Sequence, residues 1–335
     1  MSNLVNIEKD RVTNVSSTDF PGYDSNTDYA WDLQKFKDTL EIKVGYRTDR
    51  TLNFDLIHID TSIANAFRRI MISEVPSVSV EHVYINNNSS VIQDEVLASR
   101  IGLVPLQIDP DRLSWVDRAV EESERFTDEN TVVVSLNVAC TKNPHPAKNN
   151  NDPENLYRNS IVYSRDLKFE PQGRQVETFA DSPVVAADPD IVIAKLRPGQ
   201  EISLKAHCIL GLGSDHAKFS PVCTASYRLL PVINITQPIT GKDAEKFQKC
   251  FPKGVIAIED DKAVVKDARR DTVSRECLRH PEFEGKVKLA RQRDHFIFNV
   301  ESTGCMPPEE IFFKSVRILK NKAEYLKNCP IGNMN

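Results

Sequence analysis

Apolar residues recur every three or four positions between residues 60 and 76, and this period predicts a short amphipathic helix. Ile63, Phe67 and Ile70 lie at i, i+4 and i+7, so they share one face. Pro76 ends the helix because proline disfavours helical geometry at the residue before it. The pattern alone is typical of a helix that packs on the core of its own domain.

A second apolar pattern lies near the carboxyl end of the chain. Pro307 and Pro308 predict a helix start, since proline is well placed in a first helical turn. The helix that follows carries two neighbouring rows of positions at heptad-like spacing. The first row is Phe312, Val316, Leu319, Ala323 and Leu326, and the second is Ile311, Ser315, Ile318, Lys322 and Tyr325. Two adjoining rows predict packing on the chain's own sheet and on a partner; complete burial within one core is the alternative.

Elsewhere, apolar and polar residues alternate, which predicts half-buried strands. The predicted strands are 40–44, 53–59, 78–85, 131–140, 191–194, 201–210 and 296–301. Pro198-Gly199 predicts a type II turn between two of them, and the asparagines at 86–88 predict another turn. Strands and helices occur together at both ends of the chain and strands dominate the middle, so the sequence predicts an α+β fold.

Three more helices are predicted from local signals. Asp94 and Gly102 predict the start and end of one, because aspartate caps helix N-termini and glycine favours their C-termini. Residues 244–250 and 266–278 predict the other two. The polar amino-terminal arm predicts extended chain with a helical turn near residues 31–36.

Composition narrows the possible roles. The chain has 335 residues, which is room for one large domain or two modest ones. Charged residues make up 27% of it, and its net charge is −5. A stand-alone DNA-binding domain usually carries a basic surplus, which this chain lacks. No run of 18 apolar residues predicts a membrane helix, and the amino terminus lacks the basic-then-apolar order of a signal peptide.

The seven cysteines are widely spaced and no two form a Cys-x-x-Cys motif. Neither a zinc ribbon nor a thioredoxin-type redox pair is therefore predicted. We expect free thiols, as is usual in the reducing environment of the cytosol or nucleus.

An enzyme is the alternative of another class, and its best candidate site is Cys208 with His207, His216 and Asp215. A thiol nucleophile needs a histidine partner and an oriented acid. However, Cys208 falls on the apolar face of its predicted strand while His207 points the opposite way, which is typical of an inert core cysteine. The sequence therefore predicts no catalytic residue, no cofactor and no metal site.

A nucleic-acid-binding protein is a further alternative. The basic pairs Arg68-Arg69 and Arg269-Arg270 have no interleaved aromatic residues and have acids nearby. Because base stacking on aromatic side chains is a usual part of single-strand recognition, no dedicated nucleic-acid surface is predicted.

Three blocks, in order along the chain, resemble the RNA polymerase alpha family, which runs from the bacterial alpha subunit to its eukaryotic relatives. Residues 60–76 include Ala-Asn-Ala-Phe-Arg-Arg-Ile, and residues 91–106 include Asp-Glu-Val-Leu-Ala-Ser-Arg-Ile-Gly-Leu-Val-Pro-Leu. Residues 216–221 read His-Ala-Lys-Phe-Ser-Pro. With the carboxyl-terminal strand and helix, the resemblance covers about residues 40–330.

Within that family, the chain is similar to fungal versions of the larger alpha-like subunit that RNA polymerases I and III share. The arm at residues 18–22, Thr-Asp-Phe-Pro-Gly, and the segment 163–173 carry this likeness. The equivalent subunit of RNA polymerase II is the alternative. That type carries a cysteine cluster in its middle domain, which this chain lacks.

The resemblance implies two domains after an amino-terminal arm at residues 1–39. A discontinuous dimerisation domain of sheet plus helices would comprise residues 40–77 and 288–335. A mainly β insert domain would occupy residues 78–287 between these two pieces.

The resemblance also implies a non-catalytic assembly role in the nucleus, including the nucleolus, with synthesis of ribosomal RNA, 5S RNA and tRNA as its outcome. The chain would form a heterodimer with the smaller alpha-like subunit and dock the second-largest polymerase subunit and a small zinc-binding subunit. Arg68 and Arg69 would contact the large subunit, because arginine suits bidentate ion pairs at interfaces. The implied dimer interface is Ile63, Phe67, Ile70, Phe312, Val316, Leu319 and Ala323.

Overall fold

The structure, a computed structural model, describes residues 4–15, 31–146, 152–182 and 184–329. The arm motif at residues 18–22 lies outside the described residues. Helices and strands are both abundant in the described ranges, which confirms the predicted α+β fold.

The helices predicted at residues 60–76 and after Pro307 are both present. The eight α-helices of the described ranges are α1 (Leu33–Thr39), α2 (Thr61–Ser73), α3 (Asp94–Gly102), α4 (Glu122–Arg125), α5 (Pro153–Leu156), α6 (Gln175–Thr178), α7 (Gly241–Lys249) and α8 (Pro308–Asn328). The amide of Ser62 donates to Asp60 Oδ1 at 2.7 Å, so Asp60 satisfies one of the free donors at the start of α2.

The predicted strands are all present, and most of their bounds differ from the prediction by three residues or fewer; the segment predicted at 296–301 is the end of a strand that begins at Val287. Eighteen strands occur in the described ranges. They are β1 (Leu4–Ile7), β2 (Val12–Thr13), β3 (Glu41–Arg47), β4 (Thr51–Ile57), β5 (Ser77–Asn88), β6 (Leu106–Gln107), β7 (Thr131–Ala139), β8 (Thr141–Lys142), β9 (Tyr157–Arg158), β10 (Ile161–Tyr163), β11 (Lys168–Phe169), β12 (Val185–Ala186), β13 (Val192–Lys195), β14 (Glu201–Gly211), β15 (Val222–Ile235), β16 (Ile256–Glu259), β17 (Lys262–Val265) and β18 (Val287–Ser302).

The chain forms two compact units. The first comprises Met1–Tyr46, Asn53–Asn65 and Ser226–Asn299. Its main sheet has the strand order β2-β1-β18-β4-β3, and β15 also pairs with β18. In its core, the rings of Phe247 and Phe283 lie 5.2 Å apart and are both fully buried.

The second unit comprises Arg47–Leu52, Ala66–Ala225 and Val300–Asn335. Its largest sheet has the order β11-β7-β14-β5, and β14 is antiparallel to both of its neighbours. Helix α3 packs on this sheet, and Ser79 Oγ donates to the carbonyl oxygen of Gly102 at 3.0 Å. The domain bounds implied by the family resemblance, at 77/78 and 287/288, stay a prediction.

Two local predictions near β5 are wrong. The strand continues through the asparagines at 86–88, where the sequence predicts a turn, because Asn88 pairs with Ile202 of β14. Asp94 is the first residue of α3 and not its cap; its carboxylate accepts a hydrogen bond from Asn88 Nδ2 at 2.7 Å. In the first case a strand distant in sequence replaces the local turn, and in the second an amide six residues upstream occupies the carboxylate.

The helix predicted at residues 266–278 is also wrong, since two short 3-10 turns stand in its place. The guanidinium of Arg228 donates to the carbonyl oxygens of Arg269, at 2.5 Å, and Asp271, at 2.7 Å. A continuous α-helix would need these oxygens for its own hydrogen bonds. The segment therefore forms hydrogen bonds with Arg228 of β15 in place of the hydrogen bonds of a helix.

The strand predicted at residues 131–140 is present as β7 but is buried more deeply than predicted. All residues from Thr131 to Leu136 are buried, including Val133 and Ser135 on the face predicted to be exposed. Strand β7 lies between β11 and β14, and Gln175 Nε2 donates to the carbonyl oxygen of Thr131 at 2.6 Å. Side-chain polarity along a strand does not reveal what packs over it.

The turn predicted at Pro198-Gly199 is confirmed. Gly199 has a φ of +90°, the left-handed geometry that a type II turn requires at this position. The amide of Gln200 donates to the carbonyl oxygen of Arg197 at 2.9 Å and closes the turn.

A buried carboxylate forms a charged cluster in the first unit. Asp55 Oδ2 accepts hydrogen bonds from Arg269 and from His295 Nε2, the latter at 2.8 Å. Burial acts to raise the pKa of the Asp55 carboxyl, but the hydrogen bonds and charges of these two partners outweigh it and lower the pKa below its usual value. The ionised carboxylate therefore stabilises the fold.

We expect Asp55→Asn to lower the free energy of unfolding by about 1–3 kcal/mol at neutral pH. Because the pKa of the folded state is lowered, this stabilisation is present above the unfolded-state pKa of about 3.9 and is lost as pH falls through the folded-state pKa. Urea unfolding of both proteins across this acid range measures the effect. The difference between them should shrink toward acid pH, and a pH-independent difference would contradict the assignment.

Candidate subunit interface

The structure brings together the carboxyl half of α2 and the start of α8. Phe67 and Phe312 are both buried, and their ring centroids lie 5.5 Å apart in an edge-to-face arrangement. Ile70 and Ile311 are buried as well. These side chains form a core within the second unit itself, where aromatic pairs in this geometry stabilise packing.

Ion pairs hold α8 at two points along its length. Lys314 Nζ lies 2.6 Å from Asp111 Oδ1. Two turns further on, Lys322 Nζ lies 2.6 Å from Glu74 Oε2, just beyond the end of α2. An exposed ion pair contributes little to stability, so the second contact serves mainly to orient the helix.

The second half of α8 contains no fully buried residue within the described ranges. From Val316 to Asn328, every residue is exposed or half-buried. The row that begins at the buried Phe312 continues here on the same face, one to four turns further along. We call its exposed continuation the α8 apolar surface, which consists of Val316, Leu319, Ala323 and Leu326. Contiguous apolar surface of this kind is typical of a protein–protein contact.

The residues predicted for the dimer interface thus divide into two groups. Those buried within the chain are Phe67, Ile70 and Phe312, and those half-buried or exposed are Ile63, Val316, Leu319 and Ala323. Sequence reasoning missed Phe313, whose side chain is 64% exposed beside this face. Phe313 belongs to neither apolar row, so periodicity carries no signal for it.

The two arginines predicted to contact a large subunit differ in environment. Arg68 is half-buried and Arg69 is exposed. In the described part of the chain, Arg69 forms no ion pair with a carboxylate. Ser73 Oγ donates to the carbonyl oxygen of Arg69 at 2.7 Å and fixes the last turn of α2. The Arg69 guanidinium is therefore accessible to a partner's carboxylate.

The three sequence blocks that carry the family resemblance meet in the second unit. The amide of Ser214 donates to the carbonyl oxygen of Ser73 at 2.9 Å, which joins the loop before residues 216–221 to the end of α2. A Cβ atom on Gly213 would lie 2.2 Å from the backbone of α2, so this approach requires glycine. At the end of α3, Gly102 lies beside the side chain of Lys218. Blocks far apart in sequence therefore form one surface region.

The enzyme alternative finds no support in the geometry. Cys208 is fully buried, and burial raises the pKa of its thiol to about 12. The ring of His207 packs 4.8 Å from that of Tyr84, and His216 Nδ1 accepts a hydrogen bond from the amide of Lys218 at 3.1 Å. The predicted inert core cysteine is confirmed, because a nucleophile requires the thiolate.

We expect Cys208 to resist alkylation by iodoacetamide in the native protein at neutral pH, whereas the exposed Cys223 reacts. Burial denies the reagent access and the raised pKa suppresses the Cys208 thiolate. Timed labelling followed by peptide mass spectrometry measures the two rates, with denatured protein as the control in which both residues react. Equal rates for Cys208 and Cys223 in the native protein would contradict this prediction.

All seven cysteines are free thiols, as predicted. Among the described residues, no three His, Cys, Asp or Glu side chains are grouped to hold a metal ion. Within the same ranges, no helix combines the length and apolar character needed to cross a membrane.

Comparison with known proteins agrees with these features. Residues 53–323 match the model of the RNA polymerase Rpb3/Rpb11 dimerisation domain. The chain is 70% identical over 333 residues to DNA-directed RNA polymerases I and III subunit RPAC1 of Saccharomyces cerevisiae, covering 99% of each chain. It is 46% identical over 315 residues to the Mus musculus protein of the same name, covering 93% of this chain and 90% of that one. It is 35% identical over 294 residues to DNA-directed RNA polymerase II subunit rpb3 of Dictyostelium discoideum, covering 84% and 90%.

The fold, the exposed helix face and the matched domain define a dimerising subunit of a polymerase. The chain belongs to the RNA polymerase Rpb3/Rpb11 dimerisation family. This confirms the resemblance carried by the three sequence blocks, and it confirms the expectation of a structural polymerase subunit and not an enzyme in its own right. Because the matched domain is one that dimerises, the chain pairs with another polymerase subunit.

Proposed function

We propose that this chain is the larger alpha-like subunit shared by RNA polymerases I and III and that it acts in their assembly. In this role it supports synthesis of ribosomal RNA, 5S RNA and tRNA, in the nucleus and, for polymerase I, in the nucleolus. The 70% identity to the yeast subunit of that name supports the proposal. The 35% identity to a polymerase II subunit makes the polymerase II role the weaker alternative.

The heterodimer with the smaller alpha-like subunit forms through α2 and α8. The observation that carries this proposal is the α8 apolar surface, which continues the row of Phe312 beyond the last buried turn. Full burial of a valine or leucine side chain contributes roughly 1.5–3 kcal/mol, so burial of Val316, Leu319 and Leu326 against a partner favours pairing. The dimerisation domain comprises residues 40–77 and 288–335, and residues 78–287 form the insert domain.

The second-largest subunits of polymerases I and III dock at the end of α2, together with a small zinc-binding subunit. The exposed Arg69 and its neighbour Arg68 supply the contact, because a guanidinium suits a bidentate pair with a carboxylate. The meeting of the three family blocks at this end of α2 supports the same location.

Affinity purification tests the whole proposal. The chain is tagged in its own cells, purified at moderate salt, and the bound proteins are identified by mass spectrometry. We expect the largest subunits of both RNA polymerases I and III, with one small alpha-like protein. Recovery of polymerase II alone would move the assignment to the alternative, and recovery of no polymerase would overturn it.

A further inference from the structure

Three exposed cations lie at one end of the largest sheet of the second unit. They are Lys142 in β8, Lys195 in β13 and Arg197 just after it, and we call them the basic cluster. None of the three forms an ion pair with a carboxylate of the described residues. They belong neither to the α8 apolar surface nor to the arginines of α2.

Two other exposed cations of the same unit do have such partners. Lys205 Nζ lies 2.8 Å from Glu170 Oε2, and Arg165 lies 2.9 Å from Asp190. The described residues therefore offer the basic cluster no ion pair, in a chain whose net charge is −5. A local excess of one sign of charge attracts a partner of the opposite sign.

Strand pairing brings the cluster together. Lys142 lies directly opposite Tyr157 in the β8–β9 pair, and Lys195 lies opposite Ile161 in the β10–β13 pair. Directly opposed residues in antiparallel strands have Cβ atoms about 5 Å apart. The guanidinium of Arg197 lies over the ring of Tyr157, 5.7 Å from its centroid. Arg197 thus links the two strand pairs.

The backbone beside Arg197 is held in one conformation. The amide of Arg197 donates to Gln200 Oε1 at 2.7 Å, within the type II turn that Gly199 makes possible. A cleft of about 640 Å³ opens next to this turn, and the described residues that line it include Lys195, Arg197 and the carboxylate of Asp152. Because the backbone of Arg197 is already fixed, less ordering is needed there when a ligand binds.

We propose that the basic cluster binds an acidic segment of another polypeptide, rich in aspartate and glutamate. The fork of an arginine pairs with a carboxylate through two parallel hydrogen bonds, and the lysines add point charges beside it. Nucleic acid is the weaker candidate, because Tyr157, the aromatic residue beside the cluster, is half-buried and has Arg197 over one face of its ring, which leaves little room for base stacking. That this partner is another polymerase subunit or a polymerase-bound factor is an inference that rests on the proposed function.

Zero-length cross-linking tests this contact on the full chain purified with its bound proteins. A carbodiimide joins a lysine amine to a touching carboxylate as an amide, and the carbodiimide takes up the water that is lost. We expect cross-links from Lys142 and Lys195 to aspartate or glutamate of another polypeptide. The Lys322–Glu74 pair, at 2.6 Å, is the internal positive control. Formation of the control cross-link without any intermolecular link from Lys142 or Lys195 would overturn the proposal.

A charge-reversal variant gives an independent measurement. Lys195→Glu with Arg197→Glu should reduce recovery of the cross-linked polypeptide by about tenfold or more, the loss expected when attraction becomes repulsion. The matched control is Lys242→Glu with Lys249→Glu, two exposed positions of α7 with the same change in charge. Equal recovery from both variants would contradict the proposal. Because α8 is untouched, the small alpha-like subunit should stay bound, so failure here is distinguishable from failure of the proposed function.

Nucleic acid is excluded or supported by a third measurement. Fluorescence anisotropy with labelled single-stranded RNA and duplex DNA should show the same weak binding for the wild type and for the charge-reversal variant. Binding that the variant loses, together with the absence of intermolecular cross-links from Lys142 and Lys195, would assign the cluster to nucleic acid and overturn the proposal. Thermal unfolding of each variant verifies that it folds.

Discussion

Val316→Asp combined with Leu326→Asp is expected to abolish the heterodimer with the smaller alpha-like subunit. Burying an unpaired carboxylate at an interface costs several kcal/mol, and the apolar contacts of two side chains are lost as well. A loss of about 3 kcal/mol already weakens binding by more than 100-fold. Both side chains are exposed in the chain alone, at 40% and 67%, so its own fold should be unaffected.

Co-purification of the tagged chain with the small subunit measures this effect, and circular dichroism of the variant verifies its fold. The matched control is Asn321→Asp, which introduces the same side chain at an exposed polar position of α8. Leu319 is left unchanged because it is half-buried, and its replacement would change both the stability of the chain and its pairing. Normal recovery of the small subunit with the double variant would remove the α8 apolar surface from the interface.

Phe312→Ala is expected to lower the free energy of unfolding by about 3–5 kcal/mol, the usual cost of removing a buried phenylalanine ring. Phe312 is 7% exposed and its ring lies 5.5 Å from that of Phe67, so truncation leaves a cavity between α2 and α8. Urea unfolding monitored by circular dichroism measures the loss.

Phe313→Ala is the matched control, since it removes the same ring one residue further on. Phe313 is 64% exposed, and truncation of an exposed side chain usually changes stability by less than about 0.5 kcal/mol. Similar unfolding free energies for the two variants would show that Phe312 is not part of an internal core. Weaker pairing with unchanged stability in Phe312→Ala would return that residue to the dimer interface.

Sequence patterns correctly predicted those elements whose conformation depends mainly on residues close in sequence. The 3.6-residue period of Ile63, Phe67 and Ile70 predicted α2, and Pro307-Pro308 predicted the start of α8. Gly199 predicted the turn at residues 197–200, because this turn requires a backbone conformation that glycine adopts readily. Identity within the three blocks predicted the family, which the match of residues 53–323 confirms.

Predictions failed where residues distant in sequence form hydrogen bonds with the backbone groups that the predicted element would need. Arg228 donates hydrogen bonds to carbonyl oxygens that a helix at 266–278 would use, and no residue within that segment indicates this contact. The sequence showed no sign of the basic cluster because its members come from two separate segments, which the strand pairs and the contact of Arg197 with Tyr157 bring together.

The sequence was sufficient to establish which side chains share the faces of α2 and α8, since periodicity along one helix is a local property. It could not establish where along the row of Phe312 burial ends. Burial ends at Ser315, and this position depends on how far the second unit extends along α8. The same position divides the internal core from the outward-facing surface. Burial is a property of what packs against a residue, and those groups come from remote parts of the chain.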